Sequence, residues 1–165
     1  MARILHTADV HLDPDHAERT DTLESVLALA TEESVDAVTV GGDLFDSERA
    51  AETLRSDLRD VFADRPFPVL TIPGNHDAAA FGDDLFFGEA FEAAVAEPFG
   101  HHDLGDTRLT TLPYRAGDPD EALLAVADRA PFDGPEVLVL HCSLEAPVDA
   151  TPGDEETRYF PVDRH

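Results

Sequence analysis

Lysine is missing from this chain of 165 residues, whose 11 basic residues, all arginine, stand against 36 acidic ones. The shortage of basic residues excludes a broadly basic surface for nucleic acids. No apolar run approaches the ~20 residues of a membrane-spanning helix, so a membrane partner is not expected. The start, Met1-Ala2-Arg3, lacks the layout of a signal peptide.

Cys142 is the single cysteine, which excludes an intramolecular disulfide framework and favours a cytoplasmic location. It lies in an apolar run with no base placed for it, so we expect a core residue and not a nucleophile.

The formal net charge is −25, although 42% of the residues are hydrophobic, as in a chain that folds. Such a surface repels itself at ordinary ionic strength, but the Debye length falls to about 3 Å at molar salt. We interpret the charge as adaptation to a salt-rich, halophilic cytoplasm. The melting temperature should therefore rise as KCl increases from about 0.1 M to molar levels. A melting temperature that stays flat or falls over this range would contradict the interpretation.

Strand and helix patterns alternate along the chain. Apolar runs predict strands over 4–8, 35–40, 67–72, 104–112 (one or two strands) and 137–140. Residues repeating at i, i+3 and i+4 predict helices over 18–34, 51–62, 87–95 and 122–130. This order predicts an α/β domain with a parallel or mixed sheet, and no linker or repeat divides residues 1–165.

Polar side chains follow four of these strands at the point where each strand ends. They are Asp9 and His11, Asp43 and Asp46, Asn75 with His76 and Asp77, and finally His141. Ligands of open α/β sheets bind at the carboxyl ends of the strands. Each motif alone has a plain structural explanation, such as a turn at Gly41-Gly42-Asp43 or a hydrogen-bonded core histidine. Together on one edge they favour a ligand site.

The residue types also indicate the ligand. Carboxylate, imidazole and amide groups without thiolate suit Mn²⁺, Fe²⁺ or Zn²⁺. Two such ions need a shared carboxylate to offset their mutual repulsion. Asp43 follows two glycines that allow a tight turn, and it is the natural bridging residue.

The whole series of motifs resembles the calcineurin-like metallophosphoesterases, and "HTADVHLD", "GGDLFD" and "IPGNHDA" are most similar to the SbcD-type DNA-repair nuclease branch. The resemblance implies a two-sheet β-sandwich flanked by helices, with two divalent ions, Mn²⁺ first, at the carboxyl strand edge. It implies DNA as substrate and an SMC-like ATPase subunit as partner. By this resemblance, one ion is bound by Asp9, His11 and Asp43, and the other by Asp43, Asn75 and His141. His76 is the implied catalytic histidine, and Asp77 orients it. Asp46 is implied to brace the loop.

One family motif is absent from its expected place. The family closes its site with Gly-His-x-His beyond the position of His141, and this chain has no such motif there. The "GHHD" segment at 100–103 is out of order and reads as surface or strand end, and His165 lacks the glycine context. We therefore expect a nuclease domain that lacks its C-terminal part. A phosphoesterase for nucleotides or other small phosphate esters, and a catalytically incomplete fragment, remain the alternatives.

Overall fold

A computed structural model describes residues 1–82, 85–114, 119–144 and 161–162. Its helices are α1 (Ala17–Glu32), α2 (Glu48–Phe62) and α3 (Pro119–Ala127), with a single 3-10 turn at Ala78–Ala80. Its strands are β1 (Ile4–Thr7), β2 (Ala37–Gly41), β3 (Val69–Ile72), β4 (Phe91–Ala93), β5 (Gly100–Leu104), β6 (Thr107–Leu112), β7 (Glu136–Leu140), β8 (Ser143–Leu144) and β9 (Pro161–Val162). No helix in these described ranges has the length and apolarity needed to cross a membrane.

The first sheet contains β1, β2, β3 and β4 in that order, and every pair in it is parallel. All residues of β2 and β3 are buried, as expected for central strands of a parallel sheet covered on both faces. Parallel strands end on the same side, so the loops after β1, β2 and β3 leave from one edge. This topology places the polar strand ends close to one another.

A second sheet contains β5, β6 and β7, with β5 and β6 antiparallel and β6 and β7 parallel. Leu109 and Val139 of this sheet pack against Leu70 and Ile72 of the first sheet. Ala122 of α3 packs with Leu112 of β6, on the outer side of the second sheet. The predicted two-sheet architecture with flanking helices is therefore present.

Helices α1 and α2 cover the outer face of the first sheet. Leu23 and Leu27 of α1 and Leu58 of α2 are buried in one cluster with Val38 and Val40 of β2. The N-terminus of α2 is capped by the side chain of Ser47, which accepts a hydrogen bond from the main-chain N–H of Ala50 at 3.3 Å. The apolar spacing of both helices thus agrees with the sequence prediction.

The predicted helix over 87–95 is wrong, because this segment contains the strand β4. Gly88 precedes it with φ +118°, a left-handed conformation that ends any helix there. Phe87 and Phe91 both pack on Phe62, with ring centroids 5.9 and 5.1 Å apart. Their i, i+4 spacing reflects membership of one aromatic cluster and not one helical face.

The other elements are confirmed, with most boundaries shifted by up to three residues. The largest difference concerns the predicted strand region 104–112, which is a hairpin whose first strand, β5, begins at Gly100. The "GHHD" segment thus lies in β5, where the imidazoles of His101 and His102 contact Thr110 Oγ1 and Thr111 Oγ1. Cys142 is partly buried against the cluster that contains Ala122 of α3 and Leu112 of β6, and burial raises the pKa of its thiol, as expected for a packing residue.

Glu136 at the start of β7 forms a charge pair that should make stability depend on pH. Hydrogen bonds from Arg129 and then from Thr110 lower the pKa of Glu136 from 4.5 to about 2. Because the folded state holds this pKa low, the stabilisation is complete above pH 4.5 and is lost as the pH falls toward 2. Glu136→Gln should lower the free energy of unfolding at pH 7 by about 1–2 kcal/mol, with no difference near pH 2.

Chemical denaturation of both proteins from pH 7 to pH 2 measures this difference. Asp103→Asn removes the exposed partner of Arg108 and serves as the control, with a smaller effect expected. A Glu136→Gln deficit that is equal at pH 7 and at pH 2 would contradict the assignment.

Candidate metal centre

The loops after β1 and β2 run side by side at the carboxyl edge of the first sheet. Main-chain hydrogen bonds join Asp9 N to Gly42 O at 3.1 Å, His11 N to Asp43 O at 3.0 Å and Leu12 N to Leu44 O at 2.8 Å. These bonds extend the pairing of β1 and β2 beyond the strands themselves. They fix the spacing between the polar side chains of the two loops.

Three candidate ligands have left-handed backbones, with φ values of 53° at Asp9, 49° at His11 and 50° at Asp43. Non-glycine residues rarely adopt this conformation, although Asp and His do so more often than most. Such conformations cost on the order of 1–3 kcal/mol each and persist where the surrounding structure enforces them, typically at functional sites. The hydrogen bonds between the two loops provide that enforcement.

Asp43 lies at the centre of the site and is only 2% exposed. Its Oδ1 accepts a hydrogen bond from the main-chain N–H of His76 at 2.9 Å. Its Oδ2 lies 3.7 Å from His11 Nε2 and 3.4 Å from His141 Nε2. Burial alone would raise the pKa of Asp43, but the hydrogen bonds from His141 and from His76 N–H outweigh it, and the pKa lies below its usual value. Asp43 is therefore an anion between two imidazoles.

His141 faces Asp43 from the end of β7. Its Nδ1 lies 3.0 Å from the carbonyl oxygen of Gly41, which suits an Nδ1–H donor and leaves Nε2 as the ring nitrogen that faces the site. Nε2 lies 3.0 Å from Asn75 Oδ1. The pKa of His141 is raised, first by the hydrogen bond to Asp43, so a proton is stabilised where these acceptor atoms converge. A divalent cation would satisfy the same atoms.

Within the described part of the chain, two groups of side chains have ligand atoms within 4.8 Å of one another, and Asp43 belongs to both. One group is Asp9, Asp43 and His141, and the other is His11, Asp43 and His76. Nδ1 of His11 is buried and has no hydrogen-bond partner among the described residues, and Asp46 Oδ1 lies 3.4 Å away. The donor set contains oxygen and imidazole nitrogen and fits a pair of divalent ions.

This grouping differs from the implied ligand sets in two ways. Asp9 lies with His141 and not with His11, and a ring nitrogen of His76 is near enough to join the His11 side. The rings of His11 and His76 meet edge to face with centroids 4.7 Å apart. His76 is exposed, whereas Asp43 is buried, so His76 lies at the open side of the group.

The contacts of Asp77 differ from those that the implied role requires. Its Oδ1 accepts a hydrogen bond from Gly74 N–H at 2.7 Å and its Oδ2 accepts one from Phe45 N–H at 3.1 Å. Burial raises the pKa of Asp77 despite these bonds. The carboxylate therefore fixes the loops after β2 and β3 and does not orient the ring of His76, whose Nδ1 lies 3.4 Å from the carbonyl oxygen of Asp46.

Two glycines provide space that the sequence analysis does not anticipate. A Cβ at Gly74 would lie 2.1 Å from Asp43 Oδ1, and one at Gly42 would lie 2.4 Å from His141 Nδ1. Both glycines were interpretable only as turn residues, because the contacts come from distant parts of the chain. His101 and His102 lie in neither ligand group, and His165 falls outside the described residues.

Gly42→Ala should displace the His141 imidazole and weaken metal binding. The new methyl group would overlap the ring, and we expect the affinity for Mn²⁺ to fall by about tenfold or more. Gly88→Ala is the matched control, because Gly88 has φ +118° against +101° at Gly42 and, apart from its chain neighbours, no described residue lies within 4 Å of its added Cβ. Calorimetric titration of both variants separates ring displacement from backbone strain; equal losses of affinity would refute the role of Gly42.

The family model for calcineurin-like phosphoesterases matches residues 2–165. The chain belongs to the calcineurin-like phosphoesterase family. This is a family of metal-dependent hydrolases, which agrees with the two ligand groups that share Asp43.

Three relatives of this calcineurin-like phosphoesterase carry nuclease or repair names. The SbcD component of the nuclease SbcCD of Bacillus subtilis is 35% identical over 46% of this chain and 22% of its own length. The DNA double-strand break repair protein Mre11 of Aeropyrum pernix is 27% identical over 93% of this chain and 46% of its own length. The Mre11 protein of Halobacterium salinarum is 36% identical over 69% of this chain and 32% of its own length. The chain thus spans less than half the length of each.

A solved structure supports the fold. TT1561 of Thermus thermophilus superimposes with a TM-score of 0.55 at 18% identity, covering 89% of this chain and 71% of the other. The predicted metallophosphoesterase fold is confirmed by this likeness and by the family match.

Proposed function

We propose that this calcineurin-like phosphoesterase hydrolyses phosphodiester bonds with two divalent cations, and that its substrate is DNA. The observation that carries the proposal is the buried carboxylate of Asp43, which belongs to both ligand groups. A shared anion between two cation sites is what paired-metal phosphoesterases require.

The proposed ligands divide around Asp43. Asp9, Asn75 and His141 would hold one ion together with Asp43, and His11 would hold the other with Asp43. Asp46 supports His11 from outside, with its Oδ1 3.4 Å from His11 Nδ1. Two bound divalent ions would neutralise phosphate charge and lower the pKa of water so that it attacks phosphorus near neutral pH. Mn²⁺ is the proposed ion, with Fe²⁺ and Zn²⁺ as alternatives of similar ligand preference.

His76 is the proposed catalytic histidine. Its ring is exposed at the open side of the site, while its main-chain N–H is fixed on Asp43 Oδ1 at 2.9 Å. A substrate phosphate bound beside His11 would therefore meet the imidazole of His76. The ring can hold a proton for the leaving oxygen or donate a hydrogen bond to the phosphate.

DNA as substrate is supported by the names of the relatives and not by surface charge. All three relatives are named as part of a nuclease or as a DNA double-strand break repair protein. The acidic surface is compatible with this substrate if the protein works at high salt, where backbone electrostatics contribute less to DNA binding. An SMC-like ATPase subunit is the proposed partner, as implied by the SbcD-type motifs.

Activity on two substrates tests the proposal. Hydrolysis of linear double-stranded DNA from its ends and of bis-p-nitrophenyl phosphate is measured with Mn²⁺, at low and at molar KCl. DNA cleavage that requires Mn²⁺ and is removed by EDTA supports the nuclease. Hydrolysis of the small diester without DNA cleavage would favour a phosphoesterase for nucleotides or other small phosphate esters. Mn²⁺ binding without hydrolysis of either substrate would indicate a catalytically incomplete fragment.

A further inference from the structure

Arg19 reaches from the first turn of α1 back to the loop that carries His11. Its Nη1 donates a hydrogen bond to the main-chain carbonyl oxygen of His11 at 2.5 Å. The same nitrogen lies 3.9 Å from Asp46 Oδ1. One guanidinium nitrogen therefore contacts the backbone of His11 and lies near the carboxylate of Asp46, which is beside the imidazole of His11.

The backbone of His11 needs this support because its φ of 49° is unfavourable for a residue with a side chain. On one side the N–H of His11 donates to Asp43 O at 3.0 Å. On the other side the carbonyl of His11 accepts from Arg19. The peptide groups on both sides of the strained residue are thus fixed, which fixes the direction in which the imidazole leaves the chain.

The charge of Arg19 also acts on the imidazole through Asp46. Asp46 Oδ1 lies 3.4 Å from His11 Nδ1, while His11 Nε2 faces Asp43. Arg19 offsets part of the charge of Asp46, whose side chain is 45% exposed. With Arg19 in place, Asp46 stays on the Nδ1 side and Nε2 remains directed into the site.

We propose that Arg19 is a positioning residue that holds His11 in the orientation needed to bind a divalent cation. The proposal rests on the proposed two-metal site, and it assigns Arg19 no contact with substrate. Outer contacts of this kind typically change metal affinity by about 10- to 100-fold. The sequence alone does not indicate Arg19, because its separation of eight residues from His11 matches no motif.

The test compares three variants of the intact chain with the wild type. Arg19→Met keeps the apolar stem and removes the charge and the donors, and Arg19→Gln is a second neutral variant in case Arg19→Met does not fold. Arg19→Lys keeps one charged nitrogen. Arg65→Met is the matched control, since Arg65 also donates to a main-chain carbonyl, that of Val61, from Nε at 2.8 Å and from Nη2 at 2.6 Å. Readouts are Mn²⁺ affinity by calorimetry, the melting temperature, and the ring ¹⁵N shifts of His11 in the metal-free protein.

Arg19→Met should weaken Mn²⁺ binding by about 10-fold or more and move the His11 ring shifts, whereas Arg65→Met should change neither. Arg19→Lys should recover most of the affinity, because both contacts of Arg19 run through one nitrogen atom. The proposal is overturned if Arg19→Met leaves the His11 shifts and the affinity as in wild type, or if Arg19→Lys is as weak as Arg19→Met.

These outcomes are separable from those of the proposed function. Mn²⁺ binding that depends on Arg19 in a protein that hydrolyses no phosphodiester would retain the inference and refute the function. DNA cleavage by the wild type, with Mn²⁺ binding that does not change in the Arg19 variants, would retain the proposed function and refute the inference. If the wild type binds no Mn²⁺, the ring shifts of His11 in the metal-free protein still decide whether Arg19 positions the imidazole.

Discussion

Replacing Asp43 with asparagine is expected to weaken binding of both metal ions and to reduce phosphodiester hydrolysis by on the order of a thousandfold or more. Asparagine has nearly the same shape and keeps an oxygen for the N–H of His76, so the fold should survive. It removes the negative charge from the atom that lies between His11 Nε2 and His141 Nε2, at 3.7 and 3.4 Å. Both ligand groups therefore lose their shared anion through this one substitution.

Calorimetric titration with Mn²⁺ reports the number and affinity of the bound ions, and hydrolysis of bis-p-nitrophenyl phosphate reports activity. Asp36→Asn is the matched control, because Asp36 Oδ2 likewise accepts a main-chain N–H, from Arg3 at 2.7 Å, and belongs to neither ligand group. Asp36→Asn should bind metal as the wild type does. An Asp43→Asn protein that still binds two ions with wild-type affinity would exclude the shared-carboxylate model.

His76→Ala is expected to retain metal and to lose turnover by about 10²- to 10⁴-fold, the range for removing a catalytic acid or base. The exposed position of His76 at the open side of the site places its ring where a phosphate would arrive. The competing possibility is that His76 binds a cation directly, since one ring nitrogen lies within 4.8 Å of ligand atoms of His11 and Asp43. Turnover and metal affinity distinguish these roles.

The measurement is the same pair of assays on His76→Ala, with His101→Ala as the control. His101 is also exposed, and its ring contacts Thr110 Oγ1 in the second sheet. Its substitution should leave turnover unchanged. Metal affinity that falls in parallel with turnover in His76→Ala would move His76 from the catalytic role to the ligand set.

The sequence was sufficient to predict that polar residues from separate strands meet at one edge. Short apolar runs identified the strands, and the alternating helices indicated parallel pairing. Parallel strands end on the same side, so Asp9, Asp43 and Asn75 had to approach one another. Residue chemistry then limited the ligand to a divalent cation. None of these steps required side-chain coordinates.

The failed helix over 87–95 shows where local spacing is ambiguous. Apolar residues four apart fit one face of a helix, but they also fit a turn and a strand that enter the same cluster. Phe87 and Phe91 both pack on Phe62, and Gly88 between them has a left-handed backbone. The choice was made by pairing with β3 and by packing against α2, which lie far away in the sequence.

Residue types, the strands that lead into the site and the edge at which it forms were determined by the sequence alone, because they follow from composition and period. The direction of each side chain was decided only by the tertiary structure. Asp77 turns to the main chain of Gly74 and Phe45, Asp9 reaches the side of His141, and Arg19 supports His11 from α1. These directions depend on left-handed backbones at Asp9, His11 and Asp43, which exist only because hydrogen bonds from a neighbouring loop compensate their strain. A local sequence pattern does not contain that compensation, since its donors and acceptors lie about 30 residues away, from the loop after one strand to the loop after the next.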